Sequence, residues 1–250
     1  MRVLAIDTST AQVGVALGDD TGVLGATQLV NGRRHAEQLV PAIASLATST
    51  GVRLDQLSAI AVGVGPGLFT GLRVGVTTAT IMAQALRVPV VAVSSLDLVA
   101  YPLRHADRTV VAVLDARRHE VFHASYRPVP GGMQRIGDYE VGSVEALVAE
   151  LEVAGVPLLL AGDGVHCDGG RLTRLDRVEV AGNDFAMPSV AALVELAIPR
   201  IAREEFELPW NVRPLYLRPS DAEQALSARL DAQGGAGAEG PTGDIAGDAR

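Results

Sequence analysis

The sequence predicts an α/β chain built as two similarly ordered halves, each a mixed sheet with helices. Three observations lead there. Three strand-like segments open the chain in succession, which implies antiparallel pairing. Short apolar runs then alternate with helical stretches, which implies parallel crossovers. The same order of strands and helices begins again near residue 109, without a convincing sequence repeat.

Residues 3–6 (VLAI) and 12–17 (QVGVAL) read as strands around the turn DTSTA, and 22–30 as a third strand of the same group. A helix follows over 35–49, with Leu39, Val40, Ile43, Leu46 and Ala47 on one face. The apolar run 59–64 (AIAVGV) is too short for an ordinary helix and is bounded by glycines, so it reads as a buried strand. The glycine-rich loop 65–71 (GPGLFTG) leads into a long helix to about 86, and PVVAVS (89–94) is another buried strand. In the second half, TVVAVLDA (109–116) starts a strand, HEVFHASY is its hairpin partner, and 133–141 supplies a third. Ser143 stands where an N-cap belongs, ahead of the helical stretch VEALVAELEVAG. VPLLLAGDG (156–164) is a buried strand ending in a glycine turn. A last helix over about 189–206 places Val190, Leu193, Val194, Ala197, Ile201 and Phe206 at helical spacing.

The expected organisation is an N-terminal lobe over 1–104, a C-terminal lobe over 105–220 whose last segment could return to the first, and a tail. The tail, 221–250, is glycine, alanine and acid, which cannot bury enough surface to offset its ordering entropy, so disorder is expected. It holds six acids and two arginines, so half of the chain's net charge of −8 sits there.

All 21 basic residues among the 250 are arginine, which excludes a lysine Schiff base, a lysine general base and the lysine of a P-loop. The acidic balance argues against a strongly basic nucleic-acid surface, because such binding neutralises phosphates. Cys167 is the single cysteine, so no intrachain disulfide can form and a reducing compartment fits best. No segment approaches the roughly 18 uninterrupted apolar residues of a membrane span. The expectation is a soluble, cytoplasmic protein.

Four constellations are candidates for function. HEVFH (119–123) matches the HExxH pattern of zinc peptidases, which needs a helix to bring both histidines to one metal. Its flanks have strand composition, and in a strand His119 and His123 would stand about 13 Å apart. No metal site is expected there. GVGPGLFTGLRVG (63–75) fails both the P-loop and the GxGxxG patterns. It reads as a tight strand-to-helix turn, with anion binding at the helix N-terminus as the lesser reading. AIDTST (5–10) puts Asp7, Thr8 and Ser9 on a turn, where they suit either a metal-bound water and a phosphate or ordinary turn chemistry. Asp115 in LDARR, and Gly162, Asp163 and Gly164 in LAGDG, end other buried strands, so three acids could converge on one cleft. Finally, Gly71, Gly75, Ala79 and Met82 form a small-residue stripe that could receive another helix, while Leu72, Val76, Ala83 and Leu86 form a second apolar face.

The motifs LAIDTST, GPGLFTGLRVG, PVVAVSSLD, VLDARRHEVFHA and PLYLRPSDAE together resemble the bacterial TsaB proteins, over residues 1 to about 225, and GPGxFTGLRxG is specific to that family. The resemblance implies the two-lobed actin/hexokinase/Hsp70-type (ASKHA, ribonuclease H-like) fold. It also implies a non-catalytic dimerisation subunit in the making of N6-threonylcarbamoyladenosine at adenosine 37 of ANN-decoding tRNAs. The implied partners are the catalytic paralogue TsaD and the ATPase TsaE, with a homodimer when alone, tRNA reached indirectly and no membrane. No cofactor is implied for this chain; ATP and a metal ion belong to the partner subunits. The metal-binding HxxxH helix of TsaD is absent from TsaB proteins, and many relatives carry glycine where His119 stands. Asp7, Thr8, Ser9, Asp115, Gly162 and Gly164 become a vestigial nucleotide cleft. The partner surface falls on the helices at 35–49 and 71–86, through Leu39, Ile43, Gly71, Arg73, Gly75, Val76, Ala79 and Met82. The rival is an active ATP-dependent phosphotransferase of the same fold, with Asp7 and Asp115 positioning Mg²⁺.

Overall fold

The computed structural model describes residues 1–30, 34–167 and 169–218. The expected disordered tail at 221–250 lies outside the described residues. Two five-stranded sheets carry the fold, and they share one topology. In the first, β1 (Arg2–Asp7), β2 (Gln12–Asp19) and β3 (Gly22–Val30) form an antiparallel meander. The parallel strands β4 (Ala59–Gly63) and β5 (Val90–Val93) extend the other side of β1, giving the order β3-β2-β1-β4-β5.

The second sheet repeats this with β6 (Thr109–Arg117), β7 (Glu120–Val129) and β8 (Gly132–Ser143) as the meander, then β9 (Leu158–Ala161) and β10 (Val178–Val180) parallel beside β6. Each central strand is buried on both faces, which is why β1, β4 and β6 read as unbroken apolar runs rather than alternating ones.

Helix α1 (His35–Thr50) and helix α2 (Phe69–Leu86) cover one face of the first sheet. Leu39, Ile43, Leu46, Val76, Ala79 and Ala83 meet Leu4, Ile6, Val15 and Ile60 there. Helix α2 begins at Phe69, two residues before the expected start, because the chain turns helical as soon as the glycine loop has crossed the β1–β2 turn. The junction PVVAVSSLD becomes β5 and the short helix α3 (Ser95–Ala100), with Ser94 Oγ accepting from the Leu96 N–H. Helix α4 (Val144–Val153) is capped by Ser143 as expected and packs on the second sheet through Val144, Leu147 and Leu151.

After β10 the chain returns to the first sheet. Helix α5 (Val190–Ala202) lies on the face opposite α1 and α2, with Leu193, Val194 and Ala197 against Val3, Ala5, Ala16 and Ala61. Gly14 and Gly18 make this approach possible, since a Cβ on either would stand 2.6 or 2.4 Å from Val190 or Val194. The helix ends at Ala202, short of the expected 206. Glu204 turns left-handed (φ 59°), and Glu207 exchanges two backbone hydrogen bonds with Val90. Covering that free edge of β5 takes Phe206 out of the helix and leaves it 40% exposed.

These placements give opposite expectations for two apolar residues of one sequence stretch. Leu193→Ala should lower stability by about 2–5 kcal/mol, read as a lower urea midpoint. Phe206→Ala should stay within about 0.5 kcal/mol of the parent. A large loss at Phe206 would return that residue to the core.

Candidate functional site

At the C-terminal end of β1, four loops converge on Asp7. Its carboxylate accepts from the Ser9 N–H (3.0 Å) and Ser9 Oγ (2.8 Å) on one oxygen, and from Ser95 Oγ at the start of α3 (2.9 Å) on the other. Thr8 Oγ1 donates to the Gly71 carbonyl (2.7 Å), and His35 Nε2 donates to the Thr10 carbonyl (2.7 Å). The Leu68 N–H donates to the Ser9 carbonyl (2.7 Å), which commits that loop donor to the protein itself rather than to an external anion.

Burial pushes the Asp7 carboxyl above its ordinary range, against the pull of the Ser9 and Ser95 hydrogen bonds and of His35. Asp7, Thr8 and Ser9 are 0%, 1% and 0% exposed. A β-carbon at Gly63 would stand 1.8 Å from Asp7 Oδ2, and one at Gly67 2.2 Å from the Ser9 carbonyl. The glycines therefore serve close approach of backbone to a turn whose donors and acceptors satisfy one another.

The same turn occupies the small-residue stripe of α2. A Cβ at Gly71 would meet the Thr8 carbonyl at 2.2 Å, and one at Gly75 the Thr8 Oγ1 at 2.3 Å. Leu39, Ile43, Val76 and Ala79 are core residues at 1%, 3%, 5% and 0% exposure, and Met82 is half-buried at the edge of that core. Thus seven of the eight expected partner-facing residues point into this chain, because periodicity groups residues on a face without saying which way the face looks. Arg73 alone is exposed; its guanidinium lies 3.9 Å over the Phe69 ring and its Nε donates to the Tyr216 hydroxyl (3.3 Å). The outward surface of α1 and α2 is instead a groove of about 350 Å³ whose lining includes Ala36, Val40, Arg73, Val74, Thr77 and Thr78. Ile81, one turn beyond Thr77 on the same helical stripe, is 60% exposed, as is Val40.

In the second half Asp115 and Asp163 come together. Asp163, opening a short 3-10 turn after β9, accepts from the Asp115 N–H (3.0 Å). Asp115 accepts from the Arg117 N–H (2.7 Å) and pairs with the Arg117 guanidinium (2.9 Å). Among the described residues no hydrogen bond or ion pair links Asp7 to either acid. Gly162 (φ 114°) and Gly164 let the chain leave β9 across β6, where added β-carbons would stand 1.9 Å from the Val113 carbonyl oxygen and 2.8 Å from the Leu114 carbonyl carbon.

HEVFH is a turn followed by a strand. Arg117, Arg118 and His119 are all left-handed (φ 66°, 56° and 63°), a conformation that costs a side chain energy and costs glycine nothing. His123 lies inside β7, 6% exposed. Burial pushes its imidazole below the ordinary range, against Glu150 and Glu140. One polar group has no local signal in the sequence because its members are far apart: Asp97 of α3 accepts from the hydroxyls of Tyr126 (2.8 Å) and Tyr139 (3.0 Å). Burial pushes the Asp97 carboxyl up and the Tyr139 hydroxyl up to about 12.

The two repeated sheets, each with its meander, define a protein of the actin-like ATPase fold. That fold is shared with the ADPNP-bound activator of 2-hydroxyisocaproyl-CoA dehydratase from Clostridium difficile, at TM-score 0.51, 11% identity, and coverage of 86% of this chain and 99% of that one. A family profile described as TsaD, tRNA N6-adenosine threonylcarbamoyltransferase, matches residues 27–204. The structure of YeaZ from Pseudomonas aeruginosa superposes with TM-score 0.73 at 32% identity, covering 86% of this chain and 99% of that one. The tRNA threonylcarbamoyladenosine biosynthesis protein TsaB of Escherichia coli is 28% identical over 92% of this chain and 100% of its own length. The chain belongs to the TsaB (YeaZ-type) family. It spans only 56% of the length of a Mycobacterium leprae relative that it matches at 36% identity over 88% of itself. No helix among the described residues is long and apolar enough to cross a membrane.

The acid pair makes a signed prediction. Burial and the like charge of Asp115 push Asp163 up to about 6, against the Asp115 N–H and Arg117. The folded chain then holds this proton more tightly than the unfolded chain, so stability falls as pH rises from about 4 to about 6 and stays reduced above that. Asp163→Asn should remove this slope and raise stability at pH 7 by about 1–3 kcal/mol, measured by denaturant titration at several pH values. An unchanged pH profile would refute the assignment.

Proposed function

We propose that the chain works in tRNA threonylcarbamoyladenosine biosynthesis as a non-catalytic subunit, supporting threonylcarbamoyl transfer to adenosine 37 of ANN-decoding tRNAs through a TsaD partner, with TsaE as the ATPase. The names of its TsaB relatives support the pathway. The observation that carries the non-catalytic reading is the closed Asp7 turn. The three residues that would hold a metal-bound water or a phosphate in the rival phosphotransferase reading are buried and spend their polar atoms on each other and on Ser95 and Gly71.

On this reading ATP and the catalytic metal belong to the partners, and this chain requires no cofactor for the transfer. TsaD docks on the outward face of α1 and α2, where Val40 and Ile81 expose apolar side chains beside Arg73. In the absence of TsaD, a second copy of the chain takes the same face. The mild acidity of the body leaves phosphate contacts with tRNA to the partner.

Reconstitution of the transfer reaction with TsaD, TsaE, threonylcarbamoyl-adenylate and tRNA tests this. Val40→Glu and Ile81→Glu should leave the melting curve within about 0.5 kcal/mol of the parent and reduce complex formation and modification at least about tenfold, a loss of roughly 1.4 kcal/mol of binding. Asp7→Asn should modify tRNA at the parental rate wherever it is folded. Full modification without this chain would defeat the scaffold role. Mg-ATP turnover by the isolated chain, lost in Asp7→Asn, would favour the phosphotransferase.

A further inference from the structure

His123, Glu140 and Glu150 bring three ligating atoms within 4.8 Å of one another, from β7, β8 and α4. His123 and Glu140 sit directly opposite across the β7–β8 ladder, next to the register shift that follows His123. The strand alternation sends His123 to the same face as Val121, which packs against Leu147 and Leu151 of α4. Glu150 therefore approaches the imidazole from the helix while Glu140 approaches it along the sheet.

Two features distinguish this trio from a chance acidic surface. His123 is 94% buried, being 6% exposed, and makes no hydrogen bond to any described residue. No ion pair joins Glu140 or Glu150 to a described arginine, whereas Glu145, Glu179, Glu195 and Glu205 each have one. A largely buried imidazole that no described residue hydrogen-bonds thus stands beside two exposed carboxylates.

We propose that His123, Glu140 and Glu150 form a binding site for a divalent first-row transition metal of the zinc type, tying α4 to the β7–β8 hairpin. One imidazole nitrogen and two carboxylate oxygens are a donor set that zinc accepts, with bonds of about 2.0–2.2 Å and a water in the remaining position. Tetrahedral bonds of that length put ligand atoms roughly 3.4 Å apart. Both glutamates are exposed, so their side chains can close the difference. The site uses the second histidine of HEVFH without the first: His119 belongs to the left-handed turn and is not a ligand.

The test is zinc binding by the full-length chain after chelator treatment, followed by competition titration, with cobalt(II) absorption as a second readout. One zinc ion per chain is expected. Glu140→Gln and Glu150→Gln, both at exposed positions, should each weaken binding about tenfold or more, since even second-shell losses cost about 10–100-fold. His123→Gln should abolish it, and His119→Ala should leave it unchanged. Failure to take up a stoichiometric ion overturns the proposal. Uptake that survives both glutamate variants, or that is lost in His119→Ala, overturns it equally.

Discussion

The buried carboxylate of Asp7 is the constraint around which the first half of the molecule is arranged. A carboxyl group with no exposure must be given donors by its own chain, or its burial would cost several kcal/mol. Ser9 and Ser95 supply them, and the consequences spread outward. Ser95, the first residue of α3 behind its Ser94 cap, is tied to Asp7. The Ser9 and Thr8 carbonyls, turned outward by the same turn, demand glycine at 67 and 71, and Thr8 Oγ1 demands it at 75. Gly63 must lack a side chain because Asp7 already fills that space. One polar residue thus explains the glycine spacing of the loop, the start of α2 and the close seat of α2 on the sheet.

The two sheets show how one topology can treat the same position differently. Asp7 ends β1 beside the last residue of β4, and Asp115 lies near the end of β6 beside the exit from β9. In the first sheet α1, α2 and α3 cover that end, and the acid is sealed. In the second, the Asp115 side chain keeps 22% of its exposure, leans on Arg117, and leaves Asp163 to take the burial. The turn that makes this possible is strained at three consecutive residues, Arg117 to His119, where glycine would be relaxed. The acid at the end of the central strand is therefore part of a closed knot in one sheet and of a half-open acid pair in the other.

Much of this fold was legible in the sequence because its central strands are short, apolar and bounded by glycine, and its helices are long enough to show their period. The doubled order of elements, the Ser143 cap and the strand character of HEVFH all follow from local pattern. The small elements did not: β10 has three residues, too few for periodicity to register, and the end of α5 is set by pairing between Val90 and Glu207, which no local signal carries. The site was legible only as a set of residues. Asp7, Thr8 and Ser9 stood out on their turn, yet whether they face a ligand or the protein depends on Ser95, 88 residues away, and on the absence of a side chain at Gly63. Likewise the expected strand holds His123 but not His119, which lies in the turn before it, while Glu140 and Glu150 come to His123 through strand register and helix packing.

One side of α2 is taken up by this chain itself. A helix bearing two apolar stripes can bury both, and sequence periodicity alone gives no preference between them. Here the inner stripe is used up: Gly71 and Gly75 ride on the Thr8 turn while Val76, Ala79 and Ala83 fill the core. What remains outside is a stripe of modest residues, Val74, Thr77, Thr78 and Ile81, facing Ala36 and Val40 of α1 across a shallow groove. Such a surface is apolar enough to gain from burial but holds too few large side chains to act as a core by itself. The exposure of this face and the closure of the Asp7 turn have one origin, since the turn that buries Asp7 also holds α2 in the orientation that presents this face.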